Sequence, residues 1–186
     1  MTYLTQADEI RTFIDALRLH SILWLDTEVA DWQISCPNLS LIQVLSEPGD
    51  RSGEATYLLD VLDQPGLIRY FVDRIMTSPQ IEKVFHNASY DVQFLGKTKA
   101  KNVTCTLAMA RKIPLQRLGT ANRKLKTLAR DMCHFRDVDE ESQASDWRRR
   151  PLSAQQLQYA RMDTVYLAHV HHQLLGLRIA PDGVKS

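Results

Sequence analysis

One strand constrains this chain more than any other segment. Residues 22–29 read ILWLDTEV, so Ile22, Leu23, Trp24 and Leu25 run into a core and Asp26 and Glu28 follow two positions apart. Side chains at i and i+2 of a strand leave on the same side. Two adjacent carboxylates on an apolar strand repel one another and resist desolvation. At about 5 Å and an effective dielectric of about 20 the repulsion is roughly 3 kcal/mol. Such a strand must open to water at its end or meet cations there.

The rest of the chain supplies a frame for that strand. Ile10, Phe13, Ile14 and Leu17 recur at helical spacing behind Thr5, a suitable N-cap. Strands are expected at 22–29, 39–46 and 56–62, close enough in sequence to form an antiparallel meander. A helix over QPGLIRYFVDRIM, a strand at 82–87 and a helix from Ala88, capped by Asn87 and ended by Gly96, come next. A fifth short strand is expected near Asn102–Cys105, then helices over TCTLAMAR and KLKTLARDM. The final helix is expected from Ala154 to Leu175. Ser153 and Gln156 form a capping box there, and Leu152 and Leu157 a hydrophobic staple. This order predicts an α/β fold: a mixed five-stranded sheet, antiparallel meander plus parallel strands, with helices on both faces. One domain is expected over 1–186, its core at about 20–177.

The three cysteines form no CxxC pair, no apolar run can span a bilayer and no signal peptide is visible. A soluble, cytoplasmic protein with no membrane partner is expected. The net charge of +1 hides an uneven distribution. From Val92 to Arg130 there is no acid, while Arg111, Arg123, Lys124, Lys126 and other bases accumulate. Arg148, Arg149 and Arg150 form a second basic run. Segments of this kind can neutralise a phosphate backbone, although solvated helix faces have the same composition.

Two further acids stand at pointed positions. Asp91 falls in the first turn after the strand at 82–87, where it would also favour the helix dipole. Asp163 shares a helix face with Tyr159, four residues earlier. Convergence of Asp26, Glu28, Asp91 and Asp163 would require protonation or hard divalent cations such as Mg²⁺. Paired divalent ions stabilise attacking and leaving oxygens in phosphoryl displacement.

DTE, HNASYD and YARMD together resemble the three exonuclease motifs of the DEDD superfamily, and the Tyr before the last Asp places them in its DEDDy branch. SDWRRRPLSAQQLQYARMDTVYL and LSLIQV resemble ribonuclease D, so the similarity runs from about Leu23 to Leu175. The resemblance implies a ribonuclease H-like fold and metal-dependent hydrolysis of RNA from single-stranded 3′ ends to nucleoside monophosphates. Two Mg²⁺ or Mn²⁺ ions are implied: Asp26 bridges them, Glu28 and Asp163 complete one site, and Asp91 holds the other. Tyr159 would orient the attacking water and help remove its proton. Thr27, His86, Asn87, Trp32, Arg123 and Lys124 are candidates for substrate contact. His86 could equally pack at the strand end, Asn87 cap its helix and Trp32 lie in the core or a lid. His169, His171 and His172 read as a solvated face rather than a zinc site. Asp137, Asp139, Glu140 and Glu141 read as a mobile loop near the groove. Val29, and Cys105 before Thr106, depart from the family pattern at positions that hold no metal. The helical domains that follow the catalytic domain in ribonuclease D are not expected here. A DNA exonuclease of the Werner or proofreading kind is the alternative, and an inactive nucleic-acid-binding scaffold a second. Oligomeric state is left open.

Overall fold

The computed structural model describes residues 1–179 except 32, 34 and 36. Six strands form one sheet in the order β1-β4-β3-β2-β5-β6. They are β1 (Thr2–Leu4), β2 (Ile22–Ala30), β3 (Asn38–Leu45), β4 (Tyr57–Asp60), β5 (Glu82–Phe85) and β6 (Val103–Cys105). β2, β3 and β4 are the expected antiparallel meander, while β5 joins β2 and β6 joins β5 in parallel. The expected five strands are therefore six. β1 adds itself in parallel to the free edge of β4, and three residues are too few to show alternation.

The helices are α1 (Ala7–Leu17), α2 (Pro65–Phe71), α3 (Ala88–Val92), α4 (Thr106–Arg111), α5 (Leu115–Leu118), α6 (Leu125–Cys133) and α7 (Ala154–Ile179). A π-helical turn, Val72–Met76, extends α2. Gln6, not Thr5, occupies the N-cap of α1, without a side-chain capping bond. The start of α7 is as expected: the Ser153 hydroxyl accepts from the Gln156 amide, and Gln156 Oε1 from the Ser153 amide. Among the described residues no helix is long and apolar enough to cross a membrane.

Strand alternation sorts β2 onto two cores. Leu23, Leu25 and Val29 pack with Ile10, Ile14 and Phe71 from α1 and α2. Trp24 packs on the other face with Leu128 of α6 and Val165 and Leu174 of α7. Asp26 and Glu28 belong to this second face by their spacing from Trp24. A register shift between Glu28 and Val29 bends the strand just beyond the acids. The long helix α7 thus lies over the part of β2 that carries the charges.

Several polar expectations change in three dimensions. Arg148 pairs with Asp31 and Asp63, and Arg150 with Asp60, so these two bases bind the fold rather than presenting a free phosphate surface. The histidine run is not a uniformly solvated face. His171 is buried and accepts from the Trp24 indole at 3.3 Å, and His169 meets the Asp50 carbonyl at 3.0 Å; only His172 is exposed. Asp139 pins the acidic run by accepting from the Glu141 and Ser142 amides and the Ser142 hydroxyl.

Candidate active site

The central strand β2, the short helix α3 and the long helix α7 bring four carboxylates together. Asp26, Glu28 and Asp163 offer oxygens that all lie within 4.8 Å of one another. Asp91 joins from α3, and Thr27 between the two strand acids donates its hydroxyl to Asp91 Oδ1 at 2.6 Å. Glu28 is held from the neighbouring strand by Gln43, whose amide donates at 3.1 Å. Glu28, Asp91 and Asp163 are buried, and Asp26 is partly open to solvent.

Local backbone explains the placement of Asp91. Asn87 takes a left-handed conformation, φ 62° and ψ 46°, which turns the chain sharply from β5 into α3. This residue starts the helix by its backbone; its side chain makes no capping bond. Asparagine tolerates that region better than most residues. Gly96 closes the following turn at φ +95°, where a Cβ would approach Val72 Cγ1 to 2.8 Å.

The electrostatics follow from burial. All four carboxyls sit above their ordinary range, and burial is the largest cause for each. Asp91 and Asp163 push Asp26 further, while Asp26 and Asp163 do the same to Glu28. Asp91 is raised to about 7, with the Thr27 hydroxyl opposing the rise. The Lys126 ammonium opposes the rise of Asp26, Glu28 and Asp163. Burial and then the Asp163, Glu28 and Asp26 carboxylates hold the Tyr159 hydroxyl well above an ordinary phenol. Tyr159 packs with Leu41, Leu58 and Trp147, its ring centroid 6.0 Å from that of Trp147. Three convergent carboxylates with a fourth alongside form an all-oxygen donor set that suits a hard divalent cation.

These groups lie in a groove of about 1130 Å³, whose lining includes Arg111, Arg123, Lys124 and Lys126. The other candidates divide. Asn87 and Lys124 line the groove and are exposed. Arg123 lines it too, but its guanidinium donates to the Ala110 and Ile113 carbonyls at 2.9 and 2.8 Å and so closes the end of α4. His86 pairs with the Thr106 hydroxyl at 2.9 Å, and burial lowers its pKa to about 4. The Thr27 hydroxyl is taken up by Asp91. Trp32 falls outside the described residues. Glu140, Gln143 and Ala144 put the acidic run at the groove, as its composition suggested. Three further residues belong to the site: Gln43 and Tyr90, which were not singled out in the sequence, and Lys126, marked only as one base of the acid-free tract. Gln43 and Lys126 reach it from other elements, with no local signal. Tyr90 is an exposed aromatic beside Asp91, a signal that was there to be read.

Known proteins are similar to this chain in sequence and in fold. Residues 1–177 match the family described as 3′-5′ exonuclease. Exosome complex component 10 of Homo sapiens is 33% identical over 105 residues, 56% of this chain and 12% of its own length. Ribonuclease D of Bartonella henselae is 28% identical over 186 aligned residues, 92% of this chain and 40% of its own. The chain therefore spans less than half the length of these curated relatives. The catalytic core of RRP6 from Trypanosoma brucei is 25% identical with a TM-score of 0.75, covering 95% of this chain and 46% of that one. The Nibbler EXO domain of Aedes aegypti, 18% identical, shares the fold with a TM-score of 0.77, over 94% of this chain and 87% of its own. The fold is the expected ribonuclease H-like one, and the resemblance to ribonuclease D extends to named relatives. By the match over residues 1–177, the chain belongs to the 3′-5′ exonuclease family.

Proposed function

We propose that this chain hydrolyses single-stranded RNA from its 3′ end, releasing nucleoside 5′-monophosphates, with two Mg²⁺ or Mn²⁺ ions held by Asp26, Glu28, Asp91 and Asp163. The observation that carries the reading is the convergence of carboxylate oxygens within 4.8 Å of one another in a groove lined by cationic side chains. The names of the relatives, ribonuclease D and RRP6, support RNA over DNA.

The bound ions would supply the charge that stabilises the attacking and leaving oxygens of the displacement. The protein's own residues position that chemistry. Gln43 orients Glu28, and the Thr27 hydroxyl orients Asp91. Burial and the neighbouring carboxylates raise the Tyr159 hydroxyl above an ordinary phenol, and it stands beside Asp163 to orient the attacking water by hydrogen bonding. Proton removal by Tyr159 requires the surrounding negative charge to be neutralised first. A water oxygen bonds to the phosphorus of the last phosphodiester and gives up a proton, the bond from that phosphorus to the preceding 3′ oxygen breaks, and the freed oxygen takes up a proton to become the new 3′ hydroxyl. Lys124, Arg111 and Asn87 line the approach for the strand.

The test is digestion of 5′-labelled RNA and DNA of equal sequence, with Mg²⁺, with Mn²⁺ and with chelator. The expected result is a ladder that shortens from the 3′ end on RNA and vanishes with chelator. Cleavage of circular RNA would overturn the exonuclease reading. Digestion of DNA with RNA left intact would replace the substrate and keep the mechanism.

A further inference from the structure

Lys126 enters the acid cluster from α6, an element that contributes none of the four carboxylates. Its ammonium forms an ion pair with Asp163, and side-chain exposure is only 14% for the lysine and 4% for the aspartate. The same ammonium lies 3.9 Å from the centroid of the Tyr159 ring and 5.2 Å from that of Tyr166. Two aromatic faces and one carboxylate thus hold the cation in place. Among the described residues, no other ion pair reaches Asp26, Glu28, Asp91 or Asp163.

The contact falls on a carboxylate that has another use. Asp163 is one of the three residues whose oxygens converge within 4.8 Å. A divalent ion bound there needs the same carboxylate and carries the same sign of charge as the ammonium. The two cations cannot both sit against Asp163 at contact distance without strong repulsion in a site so little exposed. A lysine can resolve the conflict, because its charge rides on a flexible four-carbon stem. The groove that Lys126 lines gives the ammonium space to move away.

We propose that Lys126 is a tethered counter-cation of the acid cluster: it neutralises Asp163 in place of a divalent ion, must withdraw when that ion binds, and thereby sets the divalent concentration at which the site loads. The proposal rests on the reading of the four carboxylates as a divalent-ion site. It differs from a packing role for the same ion pair in its sign. A lysine that only joins α6 to α7 would, when removed, loosen the site and weaken metal binding. A competing lysine would, when removed, strengthen it.

The experiment is calorimetric titration of Mn²⁺ into chelator-treated wild-type protein and into Lys126→Met, Lys126→Gln, Lys126→Arg and Asp26→Asn, with melting curves in chelator and in Mn²⁺. Lys126→Met and Lys126→Gln are expected to bind Mn²⁺ about tenfold or more tightly than wild type. They should melt lower than wild type in chelator and gain more from Mn²⁺. Lys126→Arg keeps the charge and should bind no more tightly than wild type. Unchanged or weaker Mn²⁺ binding in both neutral variants, with Asp26→Asn abolishing it, would overturn the proposal and leave the metal site standing. Failure of both neutral variants to fold even in saturating Mn²⁺ would assign Lys126 to packing and overturn the proposal as well. Absence of Mn²⁺ binding in the wild type would overturn the metal reading and this inference with it.

Discussion

Tyr159 and His86 show how one environment gives two residues different tasks. Tyr159 is buried, and its hydroxyl faces the acids that hold its proton on. Tyr159→Phe keeps the ring against Trp147 and removes only that hydroxyl. Positioned groups of this kind are worth about 10²–10⁴ in rate. Turnover should fall by about that factor, with substrate affinity and melting temperature little changed; loss of stability at unchanged turnover would mark a packing residue. His86 lies against the Thr106 hydroxyl, and burial keeps it neutral down to about pH 4. Its folded pKa lies below the ordinary histidine value of about 6.5, so the unfolded chain takes up the proton first. The stability it contributes is therefore full above about pH 6.5 and is lost as pH falls toward 4, on the order of 3 kcal/mol in all. In His86→Asn the difference from wild type in urea denaturation should shrink across that window. A constant difference from pH 7 to pH 4 would remove the titration argument. Asp26 with Glu28, and Tyr159 with Asp163, were legible because their spacings are local, i, i+2 on a strand and i, i+4 on a helix; Asp91 was legible by its place in the first turn after the strand at 82–87. Lys126, Gln43 and the true partner of the Thr27 hydroxyl were not, since each contact joins residues on different elements.

The elements that carry the site are fixed by contacts of long sequence separation, and here composition misleads. Arg148 and Arg150 read as a basic run, yet their carboxylate partners Asp31, Asp63 and Asp60 are 117, 85 and 90 residues away. Arg150 forks onto Asp60 with bonds of 2.6 and 2.7 Å, the Tyr3 hydroxyl adds a third at 2.5 Å, and Ser40 completes the group. This network ties β1, β3 and β4 to the segment leading into α7, the helix that presents Tyr159 and Asp163. The capping box at Ser153, by contrast, is a local device and was found where the sequence placed it. Arg150→Met should cost about 2–3 kcal/mol in urea denaturation, less than a fully buried pair because 26% of the arginine side chain is exposed. Asp60→Leu should cost a similar amount. The double variant should cost clearly less than the two together, since it leaves no unpaired charge. Additive losses would show that the two residues stabilise the fold separately.

At the scale of the molecule, the order of strands and helices carried the fold class, while the edge strand β1 and the short helix α5 were too brief to show a period. The distribution of charge carried less, because a basic tract does not say which of its members face a substrate. The structure separates them. Arg111 and Lys124 are exposed and line the groove, whereas Lys97 and Lys99 are exposed but do not line it. Arg123 is spent on the carbonyls at the end of α4. Each phosphate neutralised on a single strand adds about −0.7 to the slope of log affinity against log salt. Arg111→Gln and Lys124→Gln should each flatten that slope by up to about 0.7 in anisotropy titrations with a labelled single-stranded RNA. The pair Lys97→Gln and Lys99→Gln should leave it unchanged. Arg123→Met should also lower the melting temperature, because it frees the Ala110 and Ile113 carbonyls. If Lys97 and Lys99 set the slope and Arg111 and Lys124 do not, the strand approaches the acids by a path other than this groove.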